Sequence, residues 1–117
     1  MSPSSNPALR VRDILDAVDA IERYATDAGG VDALIGAPSV YRDGIERRLL
    51  IISEAATKLT GQVEALEPAI DWRAIRGMGN ILRHDYDGVS DEIVRRVLTV
   101  ELPVLRAACE RLASRFA

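Results

Sequence analysis

The only histidine of the chain, His84, lies among residues whose types suit phosphate chemistry. It follows Asn80 by four residues, so in a helix the two side chains share one face. An imidazole titrates near neutral pH and can act as a general acid or base, while Asn80 can orient that ring or donate to a phosphate oxygen. Tyr86 follows two residues later, and Arg76 and Arg83 are candidate phosphate-binding cations. These five residues form the candidate site.

Other interpretations of these residues stay open on spacing alone. A single histidine near the C-terminal end of a helix often serves only as a positive charge at the negative end of the helix dipole. On an ideal helix Arg76 and Arg83 point away from His84, so they would serve phosphate in a site completed by a second subunit. A metal site is not predicted, because one histidine with only carboxylates as further ligands is a poor zinc set. The sequence also carries no glycine-rich phosphate loop, Ser-His-Asp arrangement or dinucleotide fingerprint.

The composition restricts the class of protein. The chain has 117 residues, enough for one domain, and 48% of them are hydrophobic but only 4% aromatic, which favours a helical bundle with an aliphatic core. A net charge of −3 excludes a basic field over the whole surface, so RNA binding would have to be local. One cysteine, no apolar leader and no apolar run of membrane-spanning length predict a cytoplasmic protein.

The spacing of apolar residues predicts an all-α, antiparallel bundle of four main helices, with a possible extra short helix. A flexible arm is expected over residues 1–7 and a single helical domain over 8–117. Capping and helix-breaking residues set the boundaries. The predicted elements are a helix from Ala8 to Ala28 ended by Gly29, a short turn over 31–35, a helix capped by Ser39 with two alternative ends, near Gly61 or at Leu66, a helix capped by Asp71, and a last helix capped by Ser90.

Three residues inside these helices predict local departures from regular geometry. Pro103 removes a backbone hydrogen bond from the last helix, so a kink is expected near Thr99 to Leu102. Gly77 and Gly79 each cost a helix about 1 kcal/mol relative to alanine, which indicates close approach of the backbone to another helix or to a substrate. Trp72 is expected to be a packing anchor, and Cys109 a small core residue.

The run from Ile75 to Tyr86 resembles the signature segment of the HepT-like toxins of the HEPN superfamily. That signature is an arginine, four variable residues, a histidine, one variable residue and a tyrosine, and an asparagine commonly follows the arginine. Residues 45–56 resemble the second conserved helix of the family, and residues 102–105 resemble its kinked last helix. The resemblance extends from about Val11 to Leu112, which makes it more specific than the short motif.

The resemblance implies an all-α homodimer in which the two motif segments face each other. It implies a metal-independent endoribonuclease without a cofactor, in which His84 is the acid–base catalyst and Asn80 orients the ring or the phosphate. The implied partners are the RNA substrate and an MntA-type nucleotidyltransferase acting as the antitoxin of a toxin–antitoxin pair. That antitoxin would transfer AMP to the motif tyrosine, which corresponds to Tyr86.

The sequence departs from the family signature at one position. Counting back from His84, the motif arginine should stand where this chain has Gly79. Either Arg76 or Arg83 substitutes for it, or the nuclease is weakened, or the protein is a non-catalytic HEPN-fold dimer that binds a nucleotidyltransferase. A further interpretation is an unrelated interaction bundle in which His84 is structural.

Overall fold

The structure is a computed structural model that describes residues 6–35, 39–84 and 90–117, with the backbone alone at Ser39 and from Ile81 to His84. Within these ranges it is all-helical, as the sequence predicts. The last main helix is interrupted by a π-helical turn, so that its two α-helical parts are numbered separately. The helices are α1 (Pro7–Ala28), α2 (Val31–Ile35), α3 (Ser39–Lys58), α4 (Trp72–His84), α5 (Asp91–Arg96), the π-helical turn (Val97–Glu101) and α6 (Leu102–Phe116).

The ends of α1 follow from local capping. The side chain of Asn6 accepts a hydrogen bond from the backbone N–H of Ala8 at 3.0 Å, and Pro7 occupies the first helical position, where a missing N–H has no cost. The helix therefore begins one residue earlier than predicted. It ends at Gly29, whose φ of 101° is a left-handed conformation that glycine adopts without steric cost.

The possible extension of α3 to Leu66 is wrong, because α3 ends at Lys58 and a turn-rich linker over 59–71 follows. Gly61 has a φ of 84°, and its N–H donates a hydrogen bond to the carboxylate of Glu64 at 3.0 Å. The linker still contributes to the core, since Val63 is fully buried. The apolar spacing beyond Lys58 therefore predicted correctly that linker residues are buried, but it predicted wrongly that they are helical. The N-cap predicted at Ser39 is not observed as such, because α3 already includes that residue and its side chain lies outside the described part.

The kink predicted near Pro103 takes the form of the π-helical turn. The N–H of Leu102 bonds to the carbonyl of Val97, five residues earlier, rather than to the carbonyl four residues earlier. Proline has no N–H and its ring displaces the carbonyl of Thr99, so the helix changes its hydrogen-bond register ahead of Pro103. The hydroxyl of Thr99, in this turn, donates to the carbonyl of Arg95 in α5 at 2.7 Å.

The core is aliphatic, as the composition predicts, and lies where α1 packs on α3 and on α6. Trp72 and Cys109 are both buried in it, which confirms the roles predicted for them. Helix α4 also packs on α3 and contributes Trp72 to the core. In the part of the chain that the structure describes, no helix is long and apolar enough to cross a membrane.

Candidate functional site

Helix α4 carries most of the candidate residues and is fixed at its N-terminal end. The carboxylate of Asp71 accepts a hydrogen bond from the N–H of Ala74 at 3.0 Å, which confirms the predicted cap. The indole of Trp72 is only 3% exposed and donates to the carbonyl of Glu67 at 3.1 Å. This anchor fixes the direction in which α4 leaves the linker, and so the direction in which its later residues project.

The helix runs to His84, so Asn80 and His84 lie one turn apart on a single helix, as the spacing predicts. Asn80 is exposed. The side chains of Arg83 and His84, and the whole of Tyr86, lie outside the described residues. Their assigned roles therefore stay predictions.

Gly79, at the position of the motif arginine, is buried against α3. Its N–H donates to the hydroxyl oxygen of Ser53 at 2.9 Å, and that hydroxyl donates to the carbonyl of Arg76 at 2.8 Å. A Cβ atom built on Gly79 would lie 2.5 Å from the Ser53 hydroxyl oxygen and 3.1 Å from its Cβ. This backbone position faces a neighbouring helix, and any side chain there requires the Ser53 side chain to shift or the two helices to move apart.

Gly77 lies two residues before Gly79 and is exposed to solvent, whereas Gly79 is buried. A Cβ built on Gly77 would meet no atom within 4 Å. The expectation of a close backbone approach to another helix is therefore confirmed for Gly79 and not for Gly77, which faces open space.

Arg76, one of the two arginines considered for phosphate binding, is engaged within the fold. Its Nε donates to the carbonyl of Ala56 at 2.9 Å, and its Nη1 lies 2.8 Å from a carboxylate oxygen of Glu64. The side chain is only 18% exposed. The hydrogen bond from Arg76 also holds the pKa of Glu64 below its usual value. These contacts join α4 to α3 and to the linker, so phosphate binding by this guanidinium would compete with them.

The two flanks of α4 differ in chemistry. On one flank, Met78 and Ile75 line an apolar groove of about 230 Å³ together with Ile52 of α3 and with valines of the π-helical turn and α6. Because successive residues of a helix are rotated by about 100°, Asn80 lies on the other flank. The candidate site and the apolar groove therefore occupy different surfaces of the same helix.

Ser53 is the residue that sequence reasoning missed. It is 3% exposed and is the buried polar residue of the described part of the chain. A serine within the otherwise apolar stripe of α3 was the available signal, but its partner on α4 could not be read from spacing. Burial raises the pKa of the Cys109 thiol to about 12, so this cysteine is not a nucleophile at neutral pH. Among the described residues no His, Cys, Asp or Glu side chains group closely enough to hold a metal ion.

Comparisons with known proteins agree with the motif. The family model of the HepT-like ribonucleases matches residues 14–112, which is most of the chain. A protein of Thermococcus cleftensis described as "Probable ribonuclease HepT" is 28% identical over 102 residues, covering 87% of this chain and 91% of that protein. No solved structure gives a significant match. Because the match spans the helices described above as well as the motif, the chain belongs to the HepT-like ribonuclease family.

Proposed function

We propose that this protein is the toxin of a toxin–antitoxin pair and that it cleaves RNA without a metal ion. The observation that carries the proposal is the family match over residues 14–112, combined with the position of Asn80 and His84 one turn apart on α4. The relative described as a probable ribonuclease supports RNA as the substrate class.

In this mechanism His84 moves the protons and Asn80 positions the reacting groups. His84 takes a proton from a ribose 2′-hydroxyl, or gives one to the leaving 5′-oxygen, which is the work of a general base or acid near neutral pH. Asn80 is exposed, so its amide is free to orient the imidazole ring or to donate to a phosphate oxygen. The reaction needs no cofactor.

Catalysis is proposed to be weak, because the motif arginine is absent. Loss of one preorganised charge contact to the transition state lowers a rate by about 10²–10³. The space that its side chain would need beside Gly79 is occupied by Ser53, so the substitution is built into the packing of α3 and α4. Arg76 has other contacts, which favours a weakened catalyst over direct replacement by that residue.

The proposed assembly is a homodimer with the two motif segments facing each other, controlled by an MntA-type nucleotidyltransferase. Transfer of AMP to Tyr86 would add bulk and negative charge beside the anion-binding site. RNA would then be excluded by repulsion and by sterics.

The second candidate is a non-catalytic HEPN-fold dimer that only binds the nucleotidyltransferase. The observation that favours it is the close contact between Gly79 and Ser53. The packing of α4 on α3 depends on the absence of a side chain at this position. This candidate predicts tight binding of the nucleotidyltransferase with no RNA cleavage.

The purified protein incubated with RNA in EDTA separates the two candidates. Cleavage by wild type that falls by about 10²–10⁴ in His84→Ala supports the ribonuclease. Ser114→Ala is a matched control, because it removes an exposed polar group on α6, away from the motif. The absence of wild-type cleavage, together with binding of the nucleotidyltransferase, would favour the second candidate.

The modification site has its own test. Incubation with ATP and the nucleotidyltransferase should place AMP on wild type and on Tyr41→Phe, but not on Tyr86→Phe. Tyr41 is a suitable control because it is partly buried in α3. Mass spectrometry that locates AMP at another residue in wild type would refute the assignment.

A further inference from the structure

The flank of the α3–α4 pair that lies away from the apolar groove carries three exposed cations: Arg47, Lys58 and Arg73. None of them forms an ion pair with any residue in the described ranges. Other arginines are committed to carboxylates, such as Arg106 to Asp19 and Arg111 to Glu67. We call the surface formed by Arg47, Lys58 and Arg73 the cationic flank.

The register of the two helices brings these cations to one surface. Ser53 meets Gly79 and Ala56 meets Arg76, so α3 and α4 run antiparallel. The same register places Lys58 level with the start of α4.

At the other end of the flank, this register places Arg47 level with the C-terminal end of α4. Since Ile52 and Met78 both face the groove, the helical rotation of about 100° per residue turns Arg47, Lys58 and Arg73 to the opposite flank. Asn80 lies on that flank between Arg73 and Arg47, and the backbone of His84 is level with Arg47.

The centre of the cationic flank is open at Gly77 and carries one exposed carboxylate, Glu54, which the helix register places level with Met78. Gly77 lies there and presents no side chain, with no atom within 4 Å of the place where its Cβ would be. Two carboxylates share the flank: Glu54, which is itself engaged in an interaction, and the exposed Asp43 near the start of α3. The positive charge is thus concentrated at the two ends.

We propose that the cationic flank binds the phosphate backbone of single-stranded RNA. Arg73 and Lys58 contact phosphates at one end and Arg47 at the other. The distance from Arg73 to His84 along α4 is about 16 Å, at 1.5 Å per residue. A strand held at both ends passes over Gly77, where the missing side chain lets its backbone approach the helix, and reaches Asn80.

The proposal rests on the proposed function, because RNA is its ligand, and it adds the surface that holds the substrate. RNA is favoured over an acidic protein because the cations flank the residues assigned to phosphate chemistry. It also explains how a protein with a net charge of −3 can attract RNA locally.

Binding is measured on a His84→Ala background, so that the probe is not cleaved. The probe is a fluorescein-labelled single-stranded RNA of about 12 nucleotides, within the site sizes of such surfaces. We expect Arg73→Ala and Lys58→Ala each to weaken binding several-fold. Each should also reduce the slope of log affinity against log salt by about 0.7. Arg23→Ala, an equal loss of charge at an exposed position on α1, should change neither quantity.

A charge placed at Gly77 tests the same surface without removing any contact. Gly77→Glu has room in the fold and should weaken RNA binding at least as much as Arg73→Ala. Ser114→Glu, the matched control on α6, should bind as its parent does. Circular dichroism checks that each variant is folded.

The outcomes separate this inference from the proposed function. Cleavage by wild type, with Arg73→Ala and Lys58→Ala binding RNA no more weakly than Arg23→Ala, overturns the inference and leaves the ribonuclease. Losses confined to the flank variants support the inference even if wild type does not cleave. If the flank variants lose affinity for the nucleotidyltransferase but not for RNA, the flank is a protein-binding surface and the inference is wrong.

Discussion

Gly77 and Gly79 are separated by one residue on α4, yet they do opposite things. Gly79 lies against Ser53, where even a methyl group would collide, whereas Gly77 faces open space. Helix α4 therefore has one side on which the fold requires a glycine and another on which it does not. Whether the fold requires a glycine at a helical position depends on the atoms packed against that position, and these come from the tertiary structure.

The same division separates two arginines that are three residues apart. Arg76 holds the carbonyl of Ala56 and the carboxylate of Glu64, whereas Arg73 is exposed. The first guanidinium stabilises the position of α4, and the second remains available to a ligand. Substitutions on the two sides of α4 test this division between a buried side that supports the fold and an exposed side that is proposed to bind RNA.

Gly79→Arg should have the largest effect. A side chain forced against Ser53 overpacks the helix contact, which costs about 1–3 kcal/mol and more for a residue as large as arginine. Urea unfolding should show the loss. Restoring the motif residue alone is therefore expected to damage the fold before it can improve catalysis. An unchanged free energy of unfolding would show that α3 and α4 separate readily.

The double variant Ser53→Gly, Gly79→Arg sharpens that test, because removal of the Ser53 side chain relieves the closest contacts that a Cβ at Gly79 would make. Its loss of stability should be smaller than the sum of the two single losses, since the two sites are in contact. If the absent guanidinium limits catalysis, RNA cleavage by the folded double variant should rise by about 10²–10³. An equal rate in wild type and the double variant would point to compensation elsewhere.

Ser53→Ala should cost about 1–3 kcal/mol in the free energy of unfolding, because it removes a buried hydroxyl that bonds to both Gly79 and the carbonyl of Arg76. Ser114→Ala, at an exposed position, should stay within about 0.5 kcal/mol of wild type. If the two variants change the free energy of unfolding equally, the hydrogen bonds of Ser53 do not stabilise the packing of α4 on α3.

Gly77→Ala should stabilise the protein by up to about 1 kcal/mol, since alanine favours a helix and the added methyl group meets nothing. Gly79→Ala makes the identical chemical change on the other side and should destabilise. Opposite signs in urea unfolding would confirm the division between the two sides of α4. The same sign for both would contradict it.

Acid should weaken the contacts that hold the linker. Hydrogen bonds from Arg76 and from Arg111 lower the pKa values of Glu64 and Glu67 below their ordinary value of 4.5. A lowered carboxyl pKa contributes stability above the ordinary value, and that stability is lost as pH falls through the folded-state pKa.

The midpoint of urea unfolding should therefore decrease below about pH 4.5, and less steeply in Glu64→Gln than in wild type. Glu92→Gln, an exposed carboxylate on α5, is the control and should keep the wild-type dependence. If Glu64→Gln and wild type depend on pH equally, the contact with Arg76 does not contribute to acid stability.

Much of the fold followed from local chemistry. Asp71 and Ser90 were predicted as caps and act as caps, and Gly29 ends α1 in the conformation that glycine allows. Pro103 predicted a distortion of the last helix because it has no N–H, and the π-helical turn is that distortion. The extension of α3 to Leu66 was wrong, because buried residues of the linker continue the apolar spacing of the helix. The helix ends at Lys58, shortly before Gly61.

The sequence by itself determined the helices, the aliphatic core and the family, since capping, periodicity and the motif around His84 are encoded by neighbouring residues. Only the tertiary structure decided which side of α4 is buried. That side depends on Ser53, which is far from Gly79 in the chain and 2.9 Å from it in space. Contacts between distant segments fix whether a glycine or an arginine supports the fold or remains free for a substrate, and local spacing does not report them.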